Sequence, residues 1–228
     1  MANTVTLADL RTRCRERSDM ENSQFISPTE LLSYINASYA ELYDIMVSKF
    51  EDYYVTSSTF TIASGANTEA LPTDFYKLRG VDYKIDNNNY VAARKFNFSK
   101  RNALNNSTIY AGTGSREIQY RILGNNLHLE PASNAPGDYK IWYTPIYTPL
   151  ASESDTVDGI NGFEEYIVID VAIKMLAKEE SSTTHLEREK VAMLERIEIM
   201  AQNRDYDQPE QIADMDSVGH IFNSSRIF

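Results

Sequence analysis

The chain has 228 residues, of which 42% are hydrophobic, enough for one large domain or two small ones with a real core. Its 22 basic and 33 acidic residues leave a net charge of −11, which argues against a sequence-independent grip on nucleic acid, since such a grip neutralises phosphates with Lys and Arg. The single cysteine, Cys14, excludes an internal disulfide and argues against a thiolate zinc site. No apolar run has the length of a signal peptide or a membrane span, so the chain is expected to fold in a cytoplasm.

Thr6 with Asp9 predicts the start of a first helix whose apolar edge is Leu7, Leu10 and Cys14. Arg11, Arg13, Arg15 and Arg17 make this the most basic stretch of the chain. It reads as a solvated face or as a contact with a carboxylate-rich neighbour or a phosphate. After a polar loop over Ser18–Ile26, Ser27, Pro28 and Glu30 form a cap, a first-turn proline and a capping box. The helix they open is expected to run to about Lys49, with Leu32, Ile35, Tyr39, Leu42 and Met46 on one face.

From Glu51 to Leu150 the character changes to β. Tyr53–Ile62 is β-branched and aromatic, and Ser64–Asn67 is a turn. Leu71–Leu78 reads as a Pro-initiated turn or one helical turn before a strand at Arg79–Ile85. Asp86–Asn89 is a tight turn into a short strand at Tyr90–Ala92, and Phe96–Ser107 is ambiguous, with a short helix over the sheet as one reading. Glu117–Ile122, Leu127–Glu130 and Tyr139–Tyr147 then predict an antiparallel meander, and the whole insert a small barrel or sandwich. Ala151–Asp158 reads as an acidic linker.

Asn161–Tyr206 predicts two helices joined at Ser181–Thr184, with Asn161 and Glu164 capping the first and Thr184 and Glu187 the second. In the first, Phe163, Tyr166, Ile169, Ile173 and Leu176 make a stripe that Ile167, Val168 and Val171 widen almost all the way round. A helix apolar on most sides needs neighbours on most sides. Asp207–Phe228 has no period, carries Pro209 and several acids, and ends apolar; an extended, partner-bound tail is expected. The fold class is therefore α+β. A helical bundle layer is built from residues 1–50 and 151–206, an antiparallel β domain over residues 51–150 is inserted into it, and a C-terminal tail over residues 207–228 follows.

No catalytic constellation stands out. His128, His185 and His220 lack partners at ligand spacing, so no metal or cofactor site is expected. Gly112-Thr113-Gly114-Ser115 lacks the lysine and following helix of a phosphate loop. Adjacent acids such as Glu164/Glu165 and Glu179/Glu180 point about 100° apart on a helix and cannot readily share a substrate.

Taken in order, TLADLRTRCRERSDMENSQFISPTELLSYINASYAELYD, LPTDFYKLRGVDY, LHLEPASNAPGDYKIWYTP, FEEYIVIDVAIKMLAKEES and LEREKVAMLERIEIMAQNRDYDQPEQIAD resemble the head–tail adaptor (connector) proteins of tailed bacteriophages. The resemblance covers most of the chain. It implies a structural virion protein without catalysis, located at the neck between head and tail and assembled in the host cytoplasm. It further implies a homo-oligomeric ring, usually twelvefold, beneath the portal protein. Such a ring retains the packaged DNA, lets it pass without specific binding, and docks a tail or nozzle protein. The acidic charge suits that passage if acids such as Glu187, Glu195 and Glu198 face the lumen.

On this resemblance, the surplus faces of Tyr166, Ile167, Ile169, Val171 and Ile173 serve the subunit's own Ile35/Leu42 helix and adjacent subunits. Pro209, Ile212, Met215, Val218, Ile221, Phe222, Ile227 and Phe228 would contact the portal. The alternatives are another tail or neck-completion component, or a tail-associated hydrolase.

Overall fold

The computed structural model describes residues 4–50, 52–87, 89–101 and 118–202. A short strand β1 (Thr4–Thr6) leads into α1 (Leu7–Arg17) and α2 (Pro28–Lys49). Eight strands follow: β2 (Thr56–Ile62), β3 (Thr68–Ala70), β4 (Phe75–Asp86), β5 (Asn89–Ala92), β6 (Arg94–Lys95), β7 (Gln119–Leu123), β8 (Asn126–Glu130) and β9 (Gly137–Pro145). The chain returns through β10 (Thr156–Asp158) to α3 (Glu165–Lys178) and α4 (Thr184–Gln202). The architecture is α+β, with four α-helices among the described residues and mainly antiparallel sheets.

The first two helices start where their caps predict. The Thr6 hydroxyl accepts from the Asp9 amide at 3.1 Å, and the Ser27 hydroxyl accepts from the Glu30 amide at 3.2 Å. Each side chain satisfies one of the amides that a helix start leaves without an intrahelical partner. In the helical layer Leu7, Leu10 and Cys14 of α1, Leu31, Ile35, Leu42 and Met46 of α2, and Ile167, Val168, Val171 and Met175 of α3 form one buried cluster. It is joined by Ile197 of α4 and by Leu150, which precedes β10.

The insert has its own core. One sheet runs β2-β9-β4-β5 and the other β3-β8-β7-β6. Ile62, Val81, Tyr139, Ile141 and Tyr143 from the first sheet pack with Tyr120, Leu127 and Leu129 from the second. Of the two expected forms, barrel or sandwich, the sheets form an open sandwich and not a closed barrel, with β2, β5, β3 and β6 at the edges. Two ties seat it on the helical layer. Tyr43 donates its hydroxyl to the Pro145 carbonyl at 2.6 Å. The Asn36 amide donates to the Leu150 carbonyl at 2.9 Å and accepts from the Leu150 amide at 2.8 Å.

Several expectations need correction. The three-strand meander is only the β7–β8 hairpin; β9 crosses to the other sheet, between β2 and β4. Its alternating Tyr139, Ile141 and Tyr143 fit the shared core, and its length matches the longer β2 and β4 rather than β8. β6 and β7 pair in parallel, so the sheets are not wholly antiparallel. The first insert strand begins at Thr56, because Tyr54 packs tilted against Tyr43 and Tyr53 meets Tyr54 edge-on. β4 extends back to Phe75 and absorbs part of the anticipated turn.

Residues 151–158 are more than a linker: Thr156–Asp158 pairs antiparallel with Thr4–Thr6, stitching the N-terminus to the entry of α3. Asn161 does not cap α3. It sits in a left-handed conformation (φ 50°) within a tight 3-10 turn, where its carbonyl accepts from Arg196, and α3 begins only at Glu165. At α4 the contact pair is Thr183 with Glu187, not Thr184: the Thr183 carbonyl accepts from the Glu187 amide at 3.0 Å.

Candidate functional site

The arginines of α1 are used inside the subunit. Arg11 pairs with Glu153 and Arg17 with Glu189. Arg13 reaches Glu165 at 2.6 Å and Glu164 at 3.4 Å. Arg15 donates to the carbonyls of Met20, Ser23 and Ile26 and so fixes the loop before α2. The carboxylates that meet this basic run belong to the chain itself, and the pairs of Arg11 and Arg17 lie at its surface. The Glu164/Glu165 pair is likewise spent on Arg13.

The apolar α3 is covered by its own chain. Tyr166, Ile167, Ile169 and Val171 are buried between α1, α2 and α4, as are Ile35 and Leu42 of α2. Ile173 is half-buried, against Ile169, Ala172 and Leu186. Within one subunit these side chains are already removed from water, except Ile173, which keeps part of its surface exposed. The tail residues Pro209, Ile212, Met215, Val218, Ile221, Phe222, Ile227 and Phe228 lie outside the described residues, as do His220 and the Gly112–Ser115 cluster.

A polar cluster that the sequence reading missed locks three helices together. Asp170 is 4% exposed, in the middle of α3. Its carboxylate accepts from Ser38 at 2.6 Å, from Lys174 at 2.6 Å and from Lys190 at 2.6 Å. Glu41 takes the outer positions on the same lysines and accepts from the Tyr166 hydroxyl at 3.2 Å. Burial alone would raise the Asp170 carboxyl, but the hydrogen bonds from Lys174, Lys190 and Ser38 outweigh it and hold it below the usual carboxylate range. Desolvation would likewise lower Lys190, yet its contacts with Asp170 and Tyr166 raise it. The legible signal was an aspartate among apolar residues at a position the helical period buries, which requires a partner.

A hollow of about 280 Å³ on the sandwich is lined by Lys84 and Asp138, which pair with each other at 3.4 Å. An open groove of about 570 Å³ lies between α2 and residues 145–156, lined by Tyr39, Tyr43, Tyr54 and Tyr147. Its one acid, Asp155, is held by the amides of Ala151 and Ser152. Burial pushes the Tyr43 hydroxyl up to about 12, which removes it as a base near neutral pH. His128 is half-buried on β8 and His185 exposed on α4. No group of three His, Cys, Asp or Glu side chains that could hold a metal occurs among the described residues.

The SU10 adaptor protein family matches residues 5–213, and the chain belongs to that family of phage head–tail adaptors. Membership makes it a structural virion protein of the neck, with portal and tail proteins as its general partners. No curated protein sequence matches the chain. No helix among the described residues is long and apolar enough to cross a membrane.

Proposed function

We propose that the chain assembles as a ring, of about twelve copies, beneath the portal. The ring would extend the DNA channel, help retain the packaged genome and present the dock for a tail or nozzle protein. The observation that carries this reading is the span of the family match, residues 5–213, which takes in both the helical layer and the sandwich. In this arrangement the helical layer provides the ring contacts and the inserted sandwich faces outward or toward the tail. Residues 207–228 reach the portal, with assembly in the host cytoplasm. A net charge of −11 suits a wall past which DNA slides without sticking.

Purified chain mixed with portal rings should give a complex of fixed stoichiometry, read by native mass measurement and by imaging of the assembled neck. Truncation after Tyr206 should weaken that complex. Equal binding of both forms would remove the tail from the interface, and no complex with either form would refute the adaptor ring.

A further inference from the structure

Among the exposed apolar residues of the described chain, two groups lie on surfaces that look in different directions. The first is a strip along α4. Leu186 and Ile197 turn inward and are buried, whereas Val191 and Ile199 are both 55% exposed. Together with Arg188 and Glu195 they recur at helical spacing, so they form one stripe on the side away from α3. Three charges of α4 pair within the subunit: Glu189 with Arg17, Lys190 with Asp170, and Glu198 with Lys49. Arg188 and Glu195 have no ionic partner among the described residues.

The second surface is a hollow of about 160 Å³ where α2 meets the base of the sandwich, lined by Ala40, Tyr43, Asp44, Tyr76, Ile146 and Tyr147. Tyr76 is 47% and Ile146 54% exposed, so the hollow opens on two large apolar side chains. Asp44 accepts from the Tyr76 hydroxyl at 2.8 Å and has no cation beside it among the described residues.

One copy cannot bring the two together. Ala40 lines the hollow, while the next residue, Glu41, meets Lys190 of α4. Successive helix residues project about 100° apart, and Val191 turns away from the side that carries Lys190. Pairing α4 with α4 about a twofold axis would cover the strip, leave the hollow open and stop at a dimer. A head-to-tail contact covers both surfaces and propagates around a ring.

We propose that Val191 and Ile199 of one copy seat against Tyr76 and Ile146 of the next, with Arg188 facing Asp44. The occupant of the hollow is thus a second copy of this chain. The inference rests on the ring reading and gives it an interface. Glu195 then faces a neighbouring subunit and not the DNA channel.

The test uses full-length chain assembled on portal rings. The native Cys14 is buried and its thiol is pushed up to about 12, so engineered cysteines react against a silent background. The Ile146→Cys, Ile199→Cys double variant should give a ladder of cross-linked subunits on oxidation, and neither single variant should. Arg188→Asp and Asp44→Arg should each reduce assembly about tenfold or more, and the combined swap should restore it. Wild-type rings with no cross-link and no charge effect would overturn this interface and leave the ring standing. A cross-link of Val191→Cys to itself, without the ladder, would also overturn it in favour of the twofold pairing. Failure of wild-type chain to form any ring would overturn both.

Discussion

Asp170 shows how much a single side chain can decide here. It sits among apolar neighbours, yet four other side chains, Ser38, Glu41, Lys174 and Lys190, close a network around it that joins α2, α3 and α4. Removing one member of a buried pair costs about 3–5 kcal/mol, because the remaining charge is left without compensation. Asp170→Asn is expected near the lower end of that range, since both lysines are partly exposed. The pH dependence has a fixed sign. A depressed folded-state value means that the unfolded chain takes up the proton first, so the stabilisation is complete well above the unfolded aspartate value of about 3.9. It disappears as pH falls through the lower folded value. Chemical denaturation at several pH values should show the gap between wild type and Asp170→Asn constant near neutrality and closing below about pH 4.

Val171 has the opposite character. It is 0% exposed, and Val171→Asp inserts a carboxylate with no partner, which should cost about 4 kcal/mol or more and read out as loss of the cooperative unfolding transition. The buried Cys14 offers an independent probe of the same core: thiol reagents should leave it untouched in the native protein and modify it fully in denaturant. Rapid labelling of native protein would contradict the packing of α1 on α3.

At the level of elements, α1 and α2 were legible because their caps are local. Thr6 and Ser27 each bond an amide three residues on, and nothing elsewhere in the chain is needed to see it. Ser27→Ala should therefore cost about 1 kcal/mol in a denaturation experiment, with the α2 start fraying in hydrogen exchange. The elements that were misread depend on partners far along the chain. β1 and β10 have three residues each and exist only through their mutual pairing. β9 alternates like a member of the β7–β8 hairpin, but its neighbours are β2 and β4. Asn161 looks like a cap in sequence, yet it lies in a turn whose carbonyl is claimed by Arg196 from α4. Periodicity reports which residues are buried, not which segment buries them.

For the whole molecule, the α+β class was readable, since the change in composition at Glu51 and the return of helical spacing at Phe163 are strong local signals. The candidate interface was less so. The apolar excess of α3 suggested contacts outside the subunit, but α1, α2 and α4 take up all of it except part of Ile173 and Leu176. The exposure of Val191, Ile199, Tyr76 and Ile146 is visible only once the chain is folded. A charge of −11 also makes a whole-molecule prediction. The purified chain should show no binding to duplex DNA in a gel-shift assay even at low ionic strength, where electrostatic attraction would be strongest. Measurable low-salt binding would argue against passive passage of DNA along its surface.

The clasp between Asn36 and Leu150 has one more consequence. By donating to one backbone group of Leu150 and accepting from the other, the Asn36 amide imitates a strand neighbour and closes the intervening chain into a loop anchored at its base. The entropy of closing such a loop grows only with the logarithm of its length, about 0.6 kcal/mol for each doubling. The sandwich can thus be lengthened at a hairpin tip, or traded for another compact fold, with little thermodynamic effect on the helices that hold it. The helical layer works as a socket, and the insert it holds is free to change in length without disturbing the helices around its base.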